Sequence, residues 1–337
     1  MLKAGIVGCG SISRAHRKEY LVLEEQGVVK LTCGFDTNPQ AFERRVKNNL
    51  GNSDQELEEN IRFYTDLEEM LAKEELDILD VCIPTYLHRQ VVVDLLNRGY
   101  HVLCEKPMAL SFEDCRAMLA AAESAGKELM VGQCLRFYPG FEWIKQALDE
   151  KRYGKVLGAF FGRFSSPPSW AQNNWFAQAD RSGGAVTDLH IHDIDMLRYL
   201  FGEPQAVSAR ATHSFSVYDT VHTSLFYGDV PVTAIADWTR TGAPFMALST
   251  IDCEKATISF DGTVLTVYPK DGTGAQTVEL EKRSGYYGEI RYFCDVVTGK
   301  TENTKNSALS AATSLRLIEH IKQSADQKGA IVDFLAQ

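Results

Sequence analysis

The chain has 337 residues, 45% of them hydrophobic, with 45 acidic against 35 basic side chains and a formal net charge of −10. That length is long for one domain and suits two, each able to bury a core. An acidic balance without a Lys/Arg cluster argues against a nucleic-acid partner, and no run of 18 apolar residues is present to span a bilayer.

Leu2–Val7 reads as the first strand. Interrupted by Lys3 and leading straight into glycines, it lacks the long apolar region and cleavage site of a secretory signal, so the expected location is cytoplasmic. The eight cysteines, at 9, 33, 82, 104, 115, 134, 253 and 294, show no CxxC spacing, and most fall in or beside apolar runs. Reduced, buried thiols are expected, with no zinc–cysteine site and no disulfide framework.

A helix follows at Ser11–Glu25, a strand at Val29–Phe35 and a helix from about Pro39, then a charged, insertion-like stretch at Ser53–Asn60. Ile78–Ile83, His101–Cys104 and Glu128–Val131 read as further strands, with helices at Arg89–Asn97 and Ser111–Ala125 between them. This alternation predicts βαβ units and a doubly wound parallel sheet whose carboxyl edge binds ligands. Residues 1–125 are the expected dinucleotide-binding domain.

After Gly132 the texture changes. A helix at Phe141–Glu150, a strand at Val156–Ser165 and a helical stretch at Ala185–Phe201 lead into a β-rich region. Its runs are Val207–His213, Thr220–Tyr227, Val232–Trp238, Ala247–Asp252, Ala256–Phe260, Val264–Tyr268 and Thr277–Leu280, broken by turn pairs such as Asp261-Gly262 and Asp271-Gly272. Consecutive strands joined by such turns predict an antiparallel or mixed sheet in an α+β domain over 126–337. Helices at Gly288–Val297 and Ser307–Gln323 close the chain, the terminal one free to pack back on the first domain.

Gly8-Cys9-Gly10-Ser11-Ile12-Ser13 lies between the first strand and first helix. The first glycine permits a tight turn, and the second lets a pyrophosphate approach amides at the positive end of a helix. Ser13, at the third position, is small enough for close helix–strand packing. Asp36 ends the second strand 26 residues after Gly10, where an acidic group accepts from ribose hydroxyls and repels a 2′-phosphate. NAD is therefore expected rather than NADP; the plainer reading of Asp36 is a helix cap before Pro39.

Glu105-Lys106-Pro107 follows a strand directly and projects from the carboxyl edge, where the lysine could polarise a substrate hydroxyl. Taken alone, it also reads as a surface ion pair before a loop. In Gly183-Gly184-x-x-x-Asp188-x-x-x-His192, the acid and the imidazole stand at i, i+4 on a predicted helix, so the carboxylate can orient a general base. The plainer reading is a helix cap and a core histidine. A metal set of His190, His192, Asp193 and Asp195 is set aside, because His190 lies about 200° round the helix from His192.

Taken together, the glycine loop, Pro84-Thr85-x-x-His88, Glu105-Lys106-Pro107 and Gly183-Gly184…Asp188…His192…Asp195 resemble the glucose–fructose oxidoreductase, inositol dehydrogenase and MocA family. The resemblance runs from residue 2 to the closing Ser324…Gly329…Val332 pattern. It implies a Rossmann domain, a second α/β domain with an open, mostly antiparallel sheet, and NAD(P)-dependent oxidation of a sugar or polyol without a metal. It also implies Lys106 as the hydroxyl-polarising amine, His192 as acid/base and Asp188 as its partner, with Pro84, Thr85, His88 and Glu105 lining the cofactor. The chain departs from the pattern at Ser13 and at His190, where many members carry a small residue, which bears on substrate identity. Arg163, Trp175 and Tyr286, with Tyr287, are further substrate-side candidates; Arg136 is placed to brace the domain junction. A homodimer or homotetramer is expected. Two rivals stay open: a dinucleotide-responsive regulator without catalysis, and a glycosidase using NAD transiently.

Overall fold

The structure, a computed structural model, describes residues 1–41, 61–169 and 171–335; the charged stretch at 53–60, and the helix expected from about Pro39 beyond its first residues, lie outside them. The chain divides into two compact units, Met1–Cys134 with Ser284–Thr313, and Leu135–Arg283 with Ser314–Gln337.

The first unit holds six strands, β1 (Leu2–Val7), β2 (Val29–Phe35), β3 (Arg62–Tyr64), β4 (Ile78–Val81), β5 (His101–Glu105) and β6 (Leu129–Gly132). They run parallel in the order β3-β2-β1-β4-β5-β6, so the strand order reverses on either side of β1. Loops at the carboxyl ends of such a sheet bind dinucleotides. Every residue of β4 and of β6 is buried, as strands covered on both faces require. The helices are α1 (Ser11–Glu25), α2 (Leu67–Lys73), α3 (His88–Asn97) and α4 (Phe112–Ala125). Asp66 caps α2 and Ser111 caps α4, each accepting a first-turn amide, and Gly126 at φ 61 ends α4. The short β3 and α2 have no counterpart in the sequence reading. Because β6 pairs with β5, the first unit extends beyond the boundary expected at 125.

The second unit contains α5 (Pro139–Asp149), β7 (Val156–Phe164), α6 (Ala179–Ser182), α7 (Ala185–Asp188) and α8 (Ile191–Phe201). Seven strands follow: β8 (Ala206–Thr212), β9 (Thr220–Tyr227), β10 (Val230–Asp237), β11 (Met246–Cys253), β12 (Ala256–Phe260), β13 (Leu265–Pro269) and β14 (Gln276–Val278). The mixed sheet runs β14-β13-β12-β11-β7-β10-β9-β8 and is antiparallel except where β10 meets β7. Period-two burial in β9 (Val221, Thr223 and Leu225 in, His222 and Ser224 out) sets one face toward the core. There Phe141 of α5 lies 6.2 Å from the Phe161 ring and meets Phe260 edge-on at 5.1 Å. Gly140 permits this approach, since a Cβ there would fall 2.4 Å from the Phe260 ring. At the Asp261-Gly262 turn the Asp261 carboxylate accepts from Thr263 and Val264 amides.

After this sheet come α9 (Gly285–Val297), α10 (Ala308–Asp326) and the edge strand β15 (Val332–Asp333), which pairs with β8. It is α9, rather than the terminal helix, that belongs wholly to the first unit. Its Ile290, Phe293 and Cys294 join Ala4, Ile6, Leu31, Leu103 and Met130 of the sheet and Tyr20 and Leu23 of α1 in one core. A residue such as Phe293 or Leu23, fully buried, contributes roughly 1.5–3 kcal/mol. All eight cysteines are free and buried. Among the described residues, no helix is long and apolar enough to cross a membrane.

Candidate functional site

The first unit gathers the nucleotide-type residues along the carboxyl edge of its sheet. Gly8 follows β1 at φ +96, and a Cβ there would lie 2.7 Å from the Cys82 carbonyl oxygen, so only glycine fits. Gly10 is exposed, and a Cβ added to it would meet nothing within 4 Å. Ser11 and Ile12 open α1, whose N-cap, Gly10, has no side chain to cap it and whose first turn has no acidic residue. Its amides can therefore receive an anion at the positive end of the helix dipole. Ser13 is fully buried and donates from Oγ to the Gly10 carbonyl at 2.8 Å, so a small hydroxyl closes the turn where glycine is the usual choice.

Asp36, half-buried after β2, accepts from the Cys9 amide at 2.8 Å through one oxygen and from the Asn38 amide at 2.8 Å through the other. The second contact makes a local turn at Asn38. The first holds the carboxylate beside the glycine loop.

Pro84 leads β4 into a 3-10 turn, Thr85–Leu87, with Thr85 buried. His88 is 1% exposed, with Nδ1 2.9 Å from the Pro107 carbonyl and Nε2 2.9 Å from the Ile83 carbonyl. Burial lowers its pKa, the Ile83 and Pro107 carbonyls oppose that shift, and the ring ties the two loops together. Glu105 is also buried, its Oε2 accepting from the Lys106 amide at 3.0 Å. Lys106 itself is half-buried, and its bond to Pro107 is cis.

Three buried ionisable groups beside this edge escaped the sequence reading: His16, Asp80 and Glu289. His16 lies on the buried stripe of α1 (Ser13, His16, Arg17, Tyr20, Leu23). Its Nδ1 is 2.8 Å from Asp80 and its Nε2 is 3.0 Å from Glu105. Burial, the largest single influence, would lower its pKa, but Asp80 and Cys82 together overcome it and raise the pKa well above the ordinary value. The adjacent Cys82 thiol is pushed well up by burial and then by Asp80. His16, Asp80 and Cys82, and His16, Glu105 and Glu289, bring possible metal-ligand atoms within 4.8 Å. Since carboxylates already occupy both nitrogens of His16, the contacts describe a protonated ring better than a metal ligand. One signal was available: an aspartate inside the otherwise apolar run Ile78-Leu79-Asp80-Val81.

The second unit carries the other candidates. Gly183 and Gly184 adopt φ +70 and +76, and a Cβ at Gly184 would fall 1.8 Å from the Val217 carbonyl oxygen. The Ser182 hydroxyl accepts from the Gly184 amide at 3.0 Å, and the Thr187 hydroxyl donates to the Gly183 carbonyl at 3.0 Å. The helix expected from Ala185 to Phe201 is broken: α7 ends at Asp188, and the His190 amide reaches back five residues to Ala185 at 2.8 Å. The regular i, i+4 stacking inferred for Asp188 and His192 therefore does not apply. They sit at the end of α7 and in the first turn of α8, both half-buried.

His190 is fully buried, with Nε2 3.0 Å from the Thr223 hydroxyl of β9. Burial, then Arg163 and His222, push its pKa down to about 3. It is a neutral, buried residue packed under β9. Arg163 is drawn into an ion pair within the second unit. It is 8% exposed and grips Asp193 at 3.1 and 2.9 Å, fastening α8 to β7. Arg136 makes the matching pair with Asp195 at 2.8 and 2.6 Å, and the Ser314 hydroxyl adds a bond to Asp195 at 2.7 Å. With both aspartates engaged, the metal set considered for this helix has no free carboxylate. Trp175 is half-buried and stacks on Phe176 at 3.9 Å. Tyr286 and Tyr287 belong to the first unit, where the Tyr286 ring lies 5.2 Å from His16 and the Tyr287 hydroxyl donates to Gln26 at 2.9 Å.

The profile of the GFO/IDH/MocA oxidoreductase family, NAD-binding Rossmann fold, matches residues 2–133, and that of the GFO/IDH/MocA C-terminal domain matches residues 141–259. D-apiose dehydrogenase of Paraburkholderia graminis is 29% identical over 82% of this chain and 72% of its own. The 2,7-anhydro-N-acetylneuraminate hydratase of Escherichia coli is 28% identical over 62% of this chain and 52% of its own, so only about half of that relative is spanned. Levoglucosan dehydrogenase in complex with NADH and levoglucosan superposes with a TM-score of 0.81 at 21% identity, covering 99% of each chain. At that identity the likeness establishes the shared fold.

Proposed function

The chain belongs to the GFO/IDH/MocA family of NAD-binding oxidoreductases, and from that premise we propose that it oxidises a secondary hydroxyl of a sugar or cyclic, inositol-like polyol. The observation that carries this reading lies in the first unit. The N-terminal turn of α1, the Asp36 carboxylate and Lys106 all emerge at the carboxyl edge of one parallel sheet. The residues fit NAD. Gly8, Gly10, Ser11, Ile12 and Ser13 would hold its pyrophosphate, Asp36 would accept from its ribose hydroxyls and disfavour a 2′-phosphate, and Pro84 and Thr85 would shape the wall. When bound, NAD supplies the hydride acceptor. The Lys106 amine donates to the substrate oxygen and favours its anionic form. His192 takes the hydroxyl proton, and Asp188 favours its imidazolium. A ketone and one proton leave with the reduced cofactor.

The test is an NAD-reduction screen over inositols, hexoses, deoxy and amino sugars and their phosphates. With the substrate so found, Lys106→Ala and His192→Ala, folded and still binding NAD, should each lose on the order of 10²–10⁴-fold in kcat. Turnover at the native rate by both variants would end the reading.

The hydratase among the relatives favours a second reading, a reaction without net redox change. It predicts product release with no accumulation of NADH. Free, buried thiols support a cytosolic setting. A homodimer or homotetramer is supported by the outward face of the second sheet, where Phe160, Ile235 and Leu248 remain partly exposed.

A further inference from the structure

The Lys106 amide donates to Oε2 of Glu105 at 3.0 Å. The other oxygen of Glu105 lies 3.0 Å from Nε2 of His16, and Nδ1 of that ring lies 2.8 Å from Asp80. Residues of α1, β4 and β5, each at most 5% exposed, are thus linked in series to the backbone amide of Lys106. An imidazole between two carboxylates makes both bonds only when doubly protonated, since the neutral ring donates through one nitrogen alone. Charge-assisted bonds of this kind are the strong ones, the more so away from water.

The elements around the ring agree with this charge state. From α1, Tyr20 is pushed up by burial, as are Cys82 after β4 and Cys134 after β6, so these groups stay uncharged near neutrality. From α9, the Tyr286 ring packs 5.2 Å from His16, and Glu289 brings a carboxyl oxygen within 4.8 Å of the ligand atoms of His16 and Glu105. Burial, then Glu105, push Glu289 well above the carboxylate range, so it is neutral.

We propose that His16 is a positioning residue for Lys106: clamped between Asp80 and Glu105, it fixes Glu105 so that the second carboxylate oxygen holds the Lys106 amide and sets where the lysine leaves the sheet. The inference rests on the reading of Lys106 as the hydroxyl-facing amine. Its role is indirect, through Glu105, and asks nothing of His16 toward substrate.

Hydrogen–deuterium exchange and trace acetylation with acetic anhydride test it without any substrate. In His16→Asn, checked for folding by circular dichroism, the Lys106 amide should exchange about tenfold faster or more. The pH profile of Lys106 acetylation should be displaced while that of exposed Lys73 is unchanged, and NAD affinity should stay within about threefold. If that variant does not fold, Glu105→Gln, which keeps an acceptor but loses the charge, should displace the same two readouts. Glu289→Gln, neutral for neutral, should leave both where they are. Lys106 exchange matching the native protein in a folded His16→Asn or Glu105→Gln variant overturns the proposal. So does a Glu289→Gln effect as large as that of His16→Asn, since any disturbance of the cluster would then suffice. Native turnover by Lys106→Ala would instead end the reading of the lysine while leaving the linkage intact.

Discussion

At position 289 a fully buried carboxyl group, with neither oxygen hydrogen-bonded, faces a cluster that already contains two other carboxylates. Burial first, then Glu105, raise its pKa, and His16 only partly opposes them. The folded state therefore keeps a proton that the unfolded chain gives up near the ordinary glutamate value. The stability linked to that proton is fully present below the unfolded pKa and is lost as pH rises through the raised folded one. Glu289→Gln should remove this loss, so its gain in Tm over the native protein should be larger at pH 8 than at pH 4. Each kcal/mol recovered should read as about 2–4 °C in a thermal-shift series. An equal gain at both pH values would show that Glu289 does not titrate between them. His190 shows the opposite arrangement, a base kept neutral by burial. Nothing local in the sequence tells such an imidazole, packed under a sheet, from one in a cleft.

Between residue and fold stands the Gly183-Gly184 turn with the short helix it launches. Both glycines hold positive φ, and Gly184 passes so close to the Val217 carbonyl that no side chain fits. Gly184→Ala combines backbone strain with a clash against main chain, at a cost of about 3 kcal/mol or more. The expected result is a lower unfolding midpoint in urea together with native NAD affinity, because the residues assigned to the cofactor belong to the other unit. A midpoint unchanged from the native chain would contradict the turn geometry. The break between α7 and α8 was not legible: Leu189 and His190 are ordinary helix residues, and the interruption accompanies the burial of His190 against Thr223. By contrast α1 was legible from end to end. Glycines precede it, a periodic buried stripe runs along it, and both signals lie within a few residues of where they act.

For the molecule as a whole, the second unit's sheet carries the least settled surface. Cross-strand register aligns Phe160 with Thr233 and Thr250, and Gly162 with Ile235 and Leu248, on the face away from the core. The proposed homo-oligomer predicts that the native chain sediments as a dimer or tetramer and Ile235→Lys as a monomer; a native chain that already sediments as a monomer would refute the assembly. Alternation, turn pairs and the glycine loop were enough to read a parallel sheet followed by a largely antiparallel one, with Asp36 and Lys106 at the ends of their strands. They did not show that the first unit runs past 125, that α9 rejoins it, or that Arg163 serves Asp193. Periodicity and turn chemistry depend on neighbours a few residues away, so the amino-acid order determines them by itself. The charge on His16 depends on Asp80 and Glu105, 64 and 89 residues distant, and the proton on Glu289 depends on partners farther still. Only folding brings those fields together, which is why the tertiary structure alone decided the protonation and the setting of the candidate site.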